Sequence, residues 1–221
     1  MKRIVIDKDS KGTIASIWAV VAVLLLLVVF LVGNPWVKWP LILFLLLFAF
    51  FVFWFHRIPD RKTAPGDDRT VTAVADGEIV VIERAYEGEY FKEDRIQVSI
   101  YMDFFDVHAN YWPLTGDICY YRYHPGRYLM AFLPKSSEKN EHSSTAVRNQ
   151  HGTVFFKQIA GTFARRIVCY SEEGMEVERG KQCGIIKFGS RIDIFLPIEA
   201  EILVKEGDFT KAVTTKIAKL K

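Results

Sequence analysis

Cysteine and net charge are both scarce in this sequence, and each shortage narrows the function. The 221 residues include three cysteines, Cys119, Cys169 and Cys183, which are far apart and form neither a CxxC pair nor a metal-ligand spacing. We therefore expect reduced, buried thiols, as in a protein facing the cytosol, and no metal site. The net charge is only +3 with acids and bases mixed, which excludes the continuous basic stripe of a nucleic-acid-binding protein.

Charge is missing altogether from two apolar runs near the N-terminus. Residues 14–32 form an uncharged run of 19, long enough as a helix to cross a hydrocarbon core of about 30 Å. Residues 41–55 form a second, shorter run, and Gly33-Asn34-Pro35 and two tryptophans between the runs suit a turn at the membrane interface. We expect a transmembrane helical hairpin at residues 14–56, because the second run and the missing cleavage site disfavour a signal peptide.

The basic residues around the hairpin predict its orientation. Residues 1–13 contain four of them, residues 57–69 contain four more, and only Lys38 lies between the two runs. By the positive-inside bias, both ends of the hairpin lie on the cytoplasmic side of a cell membrane. The same bases could hold the following domain against anionic lipid, at about 1 kcal/mol each.

After the hairpin we expect a linker at residues 57–69, rich in proline and mixed charge, and one catalytic domain at residues 70–221. Short β-branched and aromatic runs between glycine turns predict a mainly antiparallel β domain of the β-rich α+β class. The expected strands are residues 70–75, 78–83, 95–102, 117–123, 153–158 and 184–188. Residues 136–150 are polar and predict a surface loop, and residues 159–168 predict one short helix carrying Arg165 and Arg166. Residues 201–218 predict two strands about a Gly207-Asp208 turn, similar to the barrel-sandwich hammerhead of biotinyl and lipoyl carrier domains.

The strongest candidate for chemistry is Phe188-Gly189-Ser190-Arg191, which lies between two apolar strands and contains the chain's one Gly-Ser pair. A simple β-turn is the competing interpretation. Five segments from about residue 73 to the C-terminus resemble phosphatidylserine decarboxylases in the order of that family's motifs, with the Gly-Ser-Arg form of its short branch. They are Ala75-Asp76-Gly77-Glu78-Ile79, Phe105-Asp106-Val107-His108-Ala109-Asn110, Tyr123-His124-Pro125-Gly126-Arg127-Tyr128, Gln158-Ile159-Ala160-Gly161 with Ala164-Arg165-Arg166-Ile167, and Lys187-Phe188-Gly189-Ser190-Arg191.

The resemblance implies a self-processing proenzyme. Ser190 Oγ attacks the carbonyl of Gly189, whose missing Cβ leaves the approach open, and the resulting ester is eliminated to leave a pyruvoyl group at residue 190. The products are residues 1–189 and 190–221, which stay together, and no external cofactor is needed. The pyruvoyl ketone forms a Schiff base with the amine of phosphatidylserine in the bilayer, and loss of carbon dioxide gives phosphatidylethanolamine.

The resemblance also implies roles for other residues. Asp76 matches an aspartate that orients a histidine toward the serine, although an Asp-Gly hairpin turn is the structural alternative. His108 is assigned proton transfer in processing or at the decarboxylated carbon. Where the longer branch has a second histidine, this chain has Tyr111, so His124 is the reserve candidate for the cleavage base. Arginines 165, 166 and 191 are candidates for lipid phosphate, with ion pairing or solvation as the alternative.

Two rival functions remain at this stage. A pyruvoyl decarboxylase of a soluble amino acid is disfavoured by the membrane hairpin. A non-catalytic membrane-anchored adaptor with a carrier-like β domain is disfavoured because such adaptors place that domain outside the membrane and contain long helical hairpins. A homo-oligomer is compatible with either enzyme.

Overall fold

The computed structural model describes residues 4–127, 140–161, 167–186 and 190–221, and it divides into two compact units, Met1–Asp60 and Arg61–Lys221. The expected linker at residues 57–69 is therefore split between the units. Its first residues are not an irregular connection, because Arg57–Pro59 forms a strand that pairs antiparallel with Ile4–Ile6.

The first unit contains the two expected apolar helices. Its elements are β1 (Ile4–Ile6), a 3₁₀ turn (Lys8–Ser10), α1 (Lys11–Leu31), α2 (Pro35–Phe55) and β2 (Arg57–Pro59). Helix α2 begins earlier than the apolar run because Asn34 Oδ1 accepts a hydrogen bond from Trp36 N (3.0 Å) and proline suits the first helical position. Both helices are long and apolar enough to cross a membrane, and most of their large apolar side chains are exposed.

The second unit is built from strands. Among the described residues, all strands that pair within its sheets are antiparallel. The strands are β3 (Thr70–Thr72), β4 (Gly77–Glu87), β5 (Glu93–Met102), β6 (Ala109–Tyr111), β7 (Gly116–His124), β8 (His142–Asn149), β9 (Gly152–Ala160), β10 (Ile167–Cys169), β11 (Glu176–Val177), β12 (Gln182–Ile186), β13 (Ser190–Leu196), β14 (Glu201–Ile202), β15 (Phe209–Thr210) and β16 (Lys216–Lys219). The mainly antiparallel β class is confirmed.

The described residues of this unit form three sheets. A curled half-barrel sheet has the order β11-β7-β8-β9-β13-β5-β4-β15, and two three-stranded sheets have the orders β10-β12-β6 and β14-β16-β3. Strand β13 lies at the middle of the large sheet, paired with β5 on one side and β9 on the other. Its even-numbered residues face the main apolar core, and its odd-numbered residues face the opposite side of the sheet.

Two local predictions are wrong. Residues 142–149 are not a surface loop but strand β8, and its first six residues are buried. The strand is polar because it lies between β7 and β9 with both faces covered, and its hydroxyls are hydrogen-bonded to other side chains. The helix predicted at residues 159–168 is wrong at both ends, since β9 continues to Ala160 and β10 begins at Ile167; residues 162–166, with Arg165 and Arg166, lie outside the described residues.

The remaining strands lie close to their predicted positions. Strands β4, β5, β7 and β9 contain the expected runs, β3 is shorter than expected, and the C-terminal stretch forms three short strands, β14 to β16. The three cysteines form no disulfide; Cys183 is buried, and the other two are half-buried. Burial raises the pKa of the Cys183 thiol well above its usual value, so this thiol stays protonated.

Candidate active site

Ser190 lies where the chain passes from one sheet to another. Strand β12 ends at Ile186 in a three-stranded sheet, and Ser190 is the first residue of β13 in the large sheet. Residues 187–189, which include Gly189, lie outside the described residues. Ser190 is fully buried between Met102 of β5 and Ala160 of β9, and its hydroxyl donates a hydrogen bond to Met102 Sδ (3.1 Å).

His108 lies beside the end of β12. Its carbonyl accepts a hydrogen bond from Ile186 N (3.2 Å), which holds the His108 backbone next to the last described residue before the Gly189-Ser190 junction. The imidazole is buried, and Nδ1 lies 3.1 Å from the carbonyl oxygen of Asp106. Because a carbonyl can only accept, Nδ1 carries the proton and Nε2 is the basic nitrogen of the neutral ring. This tautomer suits a proton acceptor.

Asp76 is bound by Arg61, which lies in the predicted linker. Both carboxylate oxygens accept from the guanidinium of Arg61, and Oδ1 also accepts from Ala212 N (2.8 Å). Burial alone would lower the pKa of Arg61, but the hydrogen bond and charge of Asp76 outweigh it and raise that pKa, with smaller contributions from Tyr111 and Asp106. Two residues before Asp76, Val74 O accepts a hydrogen bond from Tyr111 N (2.9 Å), so the ion pair lies near the segment that carries His108.

The Asp-Gly pair is not a hairpin turn. Strand β3 pairs with β16 and strand β4 pairs with β5 and β15, so Asp76 lies where the chain passes between two sheets. Gly77 has φ +147°, and a Cβ there would lie 2.1 Å from Tyr101 O. Only glycine fits this close approach, and it lets Asp76 leave the strand toward Arg61.

No sequence signal identified Arg61 as the partner of Asp76. It lies in a proline-rich segment without periodicity, and its charge was explained by membrane topology. The motif around Asp76 indicated a required carboxylate but not the group that neutralises it. A buried carboxylate needs a partner, and that requirement is the signal that would have prompted a search for one.

His124 lies on the other side of the large sheet from Ser190. It pairs in register with His142, His142 pairs with Ile159, and Ile159 pairs with Arg191, so these residues share one face. Ser190 is adjacent to Arg191 in the strand and faces the opposite way. The structure therefore does not bring His124, the reserve candidate for the base, to Ser190.

His124 instead belongs to a charged cluster around Glu89, in the turn between β4 and β5. Glu89 accepts from four side chains: His124 (2.6 Å), Tyr120 (3.1 Å), Ser144 (2.9 Å) and Lys157 (3.0 Å). Burial would raise the pKa of Glu89, but the charge of Lys157 and the hydrogen bonds from Lys157, His124 and Ser144 lower it to about 2. The cluster lines a cavity of about 400 Å³ and ties the hairpin turn to β7, β8 and β9.

Glu89, His124 and His142 have ligand atoms within 4.8 Å of one another, close enough to consider a metal. The two imidazoles are stacked, with centroids 4.3 Å apart and planes 15° apart. A metal must lie near the plane of each ligating ring, and nearly parallel stacked rings offer no common point. With its carboxylate already accepting four hydrogen bonds, the cluster fits a structural role better than a metal centre.

Arg191 is held in a buried ion pair. Its Nε donates to Asp193 Oδ1 (2.6 Å) and its terminal nitrogen to Ser99 Oγ (2.9 Å), and Arg191 and Asp193 are both buried. The ion-pairing alternative holds for this arginine, and its guanidinium is not directed at solvent where a lipid phosphate would arrive.

Comparison with known proteins places the chain in a family. The family model for phosphatidylserine decarboxylase matches residues 48–218. Curated proteins named phosphatidylserine decarboxylase proenzyme are similar to the chain: that of Amoebophilus asiaticus is 46% identical over 79% of this chain and 77% of its own length, and that of Cytophaga hutchinsonii is 43% identical over 82% of each. That of Porphyromonas gingivalis is 36% identical over 97% of this chain and 98% of its own length. The chain therefore belongs to the phosphatidylserine decarboxylase family, whose activity is that of a lyase.

Proposed function

We propose that this phosphatidylserine decarboxylase is made as a proenzyme that cleaves itself between Gly189 and Ser190 and converts Ser190 into a pyruvoyl group. The observation that carries the proposal is the position of Ser190, a buried serine at the first residue of a central strand, immediately after the crossover from β12. Among the described residues the Ser190 hydroxyl donates to the thioether of Met102, which fixes the position of the oxygen while the weak sulfur acceptor leaves that oxygen available as a nucleophile.

The cleavage chemistry needs no group from outside the chain except water. The bond from Ser190 Oγ to the carbonyl carbon of Gly189 forms, the peptide bond breaks, and the hydroxyl proton ends on the freed amine. A base then removes the α-proton of residue 190 as the Cβ–O bond breaks, which releases the Gly189 carboxylate. Water replaces the nitrogen of the resulting dehydroalanine, releasing ammonia and leaving the ketone.

The surroundings of residue 190 fit a pyruvoyl group. The side chain is fully buried against the thioether of Met102 and the methyl of Ala160, which suits the methyl group that replaces the hydroxymethyl. When present, the group supplies an electron-withdrawing ketone for the amine of the lipid and for the electron pair left by carbon dioxide. Of this chain's residues, His108 moves the proton and Asp76, through Arg61, supports the segment around His108.

The two apolar helices support a membrane location for the same activity. We propose that they cross a cell membrane as a hairpin with the catalytic domain on the cytoplasmic side, as the flanking basic residues indicate. The substrate, phosphatidylserine, then lies in the bilayer that anchors the enzyme, and the cleaved chains 1–189 and 190–221 remain together.

Intact mass of the purified full chain tests the proposal. The wild-type protein should give two chains, the smaller with a blocked N-terminus because a ketone replaces its amine, and borohydride should trap the substrate there. Ser190→Ala should give one inactive chain, since alanine has no oxygen to attack or eliminate. Ser190→Cys should cleave slowly through a thioester.

A matched control is Ser171→Ala, which removes another buried serine hydroxyl that contacts Thr145 and Cys169. This variant should cleave like the wild type. A single 25.4 kDa chain with an unmodified Ser190 in active membranes would show that the pyruvoyl mechanism is wrong.

A further inference from the structure

A chain of buried polar side chains leads from strand β8 to Ser190 across the apolar core. Ser143 Oγ donates to Gln158 Oε1 (2.9 Å), Gln158 Nε2 donates to Asn110 Oδ1 (2.8 Å), and Asn110 Nδ2 lies 3.9 Å from Met102 Sδ. Met102 Sδ in turn accepts from Ser190 Oγ. All five residues are at most 1% exposed.

The two amides in this series fix each other's direction. Ser143 Oγ donates to Oε1 of Gln158, the amide nitrogen of Gln158 faces Asn110, and this donor must meet the oxygen of Asn110. The Asn110 amide nitrogen is thereby directed at the sulfur that holds the Ser190 hydroxyl. The reversed arrangement would present an oxygen to that sulfur instead.

A glycine in the backbone leaves room for the hydrogen-bonded side chains. Gly184 of β12 lies opposite Asn110 of β6, and a Cβ on Gly184 would come within 3.0 Å of Gln158 Nε2 and 2.2 Å of Val168 O. The amide of Gln158 therefore passes through space that only glycine leaves open. Buried amides in an apolar core cost stability unless they are hydrogen-bonded. The hydrogen-bonded amides of Gln158 and Asn110 therefore indicate a role for these side chains beside Ser190.

We propose that Ser143, Gln158 and Asn110 are positioning residues for self-processing, acting through Met102 to hold Ser190 Oγ where it can attack Gly189. This inference rests on the proposed function. Met102 Sδ contacts both Asn110 Nδ2 and Ser190 Oγ. Hydrogen bonds that hold Asn110 in place therefore restrict the side chain of Met102, which in turn restricts the Ser190 hydroxyl. A small displacement of a reacting atom greatly lowers the rate. Side chains that orient Ser190 Oγ through Met102 can therefore affect cleavage without contacting the serine.

Pulse–chase of the full chain in membranes measures the first-order rate of cleavage. Gln158→Met keeps the side-chain length and removes both of its hydrogen bonds, and Met102→Leu removes the acceptor, so each should slow cleavage about tenfold, the effect of 1.4 kcal/mol. Ser143→Ala is the mildest change and should slow cleavage about threefold to fivefold, because it removes one neutral hydrogen bond that holds the Gln158 amide in place. Ser143→Thr retains the hydroxyl and should restore the wild-type rate within about twofold.

Thr145→Val is the matched control, since Thr145 is a buried hydroxyl on the same face of β8 whose partner is Ser171. It should lower the unfolding midpoint about as much as Ser143→Ala does, yet leave cleavage within about twofold of wild type. Equal slowing in Ser143→Ala and Thr145→Val, or wild-type rates in both Gln158→Met and Ser143→Ala, would overturn the positioning role. A wild-type chain that never cleaves contradicts the proposed function itself, whereas wild-type cleavage with an unaffected Gln158→Met contradicts only this inference.

Discussion

Removing the guanidinium of Arg61 is the most direct test of how the region around Asp76 is held together. The Arg61 and Asp76 side chains are 15% and 10% exposed, so the carboxylate depends on Arg61 and Ala212 for compensation of its charge. Arg61→Met keeps much of the side-chain volume and leaves that carboxylate with one backbone donor. Loss of one partner from a buried pair costs about 3 kcal/mol or more, which for a domain of this size lowers the unfolding midpoint by about 6–12 °C.

The assay is thermal unfolding of the full chain in micelles, followed by near-ultraviolet circular dichroism. Arg84→Met is the matched control because the Arg84–Asp94 pair is 66% and 43% exposed, and its loss should change stability by less than about 1 kcal/mol. The double variant with Asp76→Asn completes a cycle, in which we expect a coupling of at least about 1 kcal/mol. Additive effects of the two substitutions, or a shift no larger than that of Arg84→Met, would refute the reasoning.

Proton uptake does not complicate this test. The pKa of Arg61 is raised on folding, so the stabilisation from its charge is complete below the ordinary arginine pKa and is lost only as the pH rises through the still higher folded value. The Arg61→Met effect should therefore be the same at any pH near neutrality.

Three further predictions concern other residues. His124→Ala should leave self-cleavage at the wild-type rate in pulse–chase, because His124 lies on the opposite face of the sheet from Ser190; a severe loss of cleavage would contradict that placement. Glu89→Gln should lower the free energy of unfolding by about 3 kcal/mol at pH 7, because folding lowers the pKa of Glu89 to about 2. The stabilisation is complete above the ordinary glutamate pKa, so the difference from wild type should shrink as the pH falls from about 4.5 toward 2. A constant difference across denaturation curves at these pH values would argue against this prediction. His108→Ala should lower carbon dioxide release from phosphatidylserine vesicles about a hundredfold or more, and turnover near the wild-type value would remove His108 from the proton transfer.

The elements that the sequence predicted best are those whose pattern of apolar residues reflects a single kind of surrounding, such as lipid or the apolar core. The two apolar helices are covered by apolar side chains all round, and strands such as β4 and β5 alternate or run apolar as a sheet surface requires. The motif residues Asp76, His108 and Ser190 were identified through resemblance. That His108 lies beside the end of β12, and that Ser190 begins β13, could not be predicted without knowing the sheets.

The failures have a common physical cause, since they depend on partners far away in the sequence. Strand β8 has a polar sequence that suggests a loop, but its hydroxyls meet Glu89, Gln158 and Ser171 from three other parts of the chain. Arg61 resembled a topology signal until Asp76 was found beside it. Polar residues that are buried in pairs leave no periodic pattern, so local sequence cannot distinguish them from solvated ones.

Under the proposed cleavage before Ser190, the chain would be cut at the start of β13, and the pairing of that strand would keep the two products folded together. All seven residues of β13 pair in register with β5, and six of them pair with β9, so the strand that begins the small chain is held from both sides by the large one. Farther along, β15 pairs with β4 and β16 pairs with β3, which adds contacts between the two products outside the reacting residue. At about 1 kcal/mol for each backbone hydrogen bond, together with the apolar core that the even-numbered residues of β13 fill, these pairings exceed what one peptide bond contributes by linking the ends.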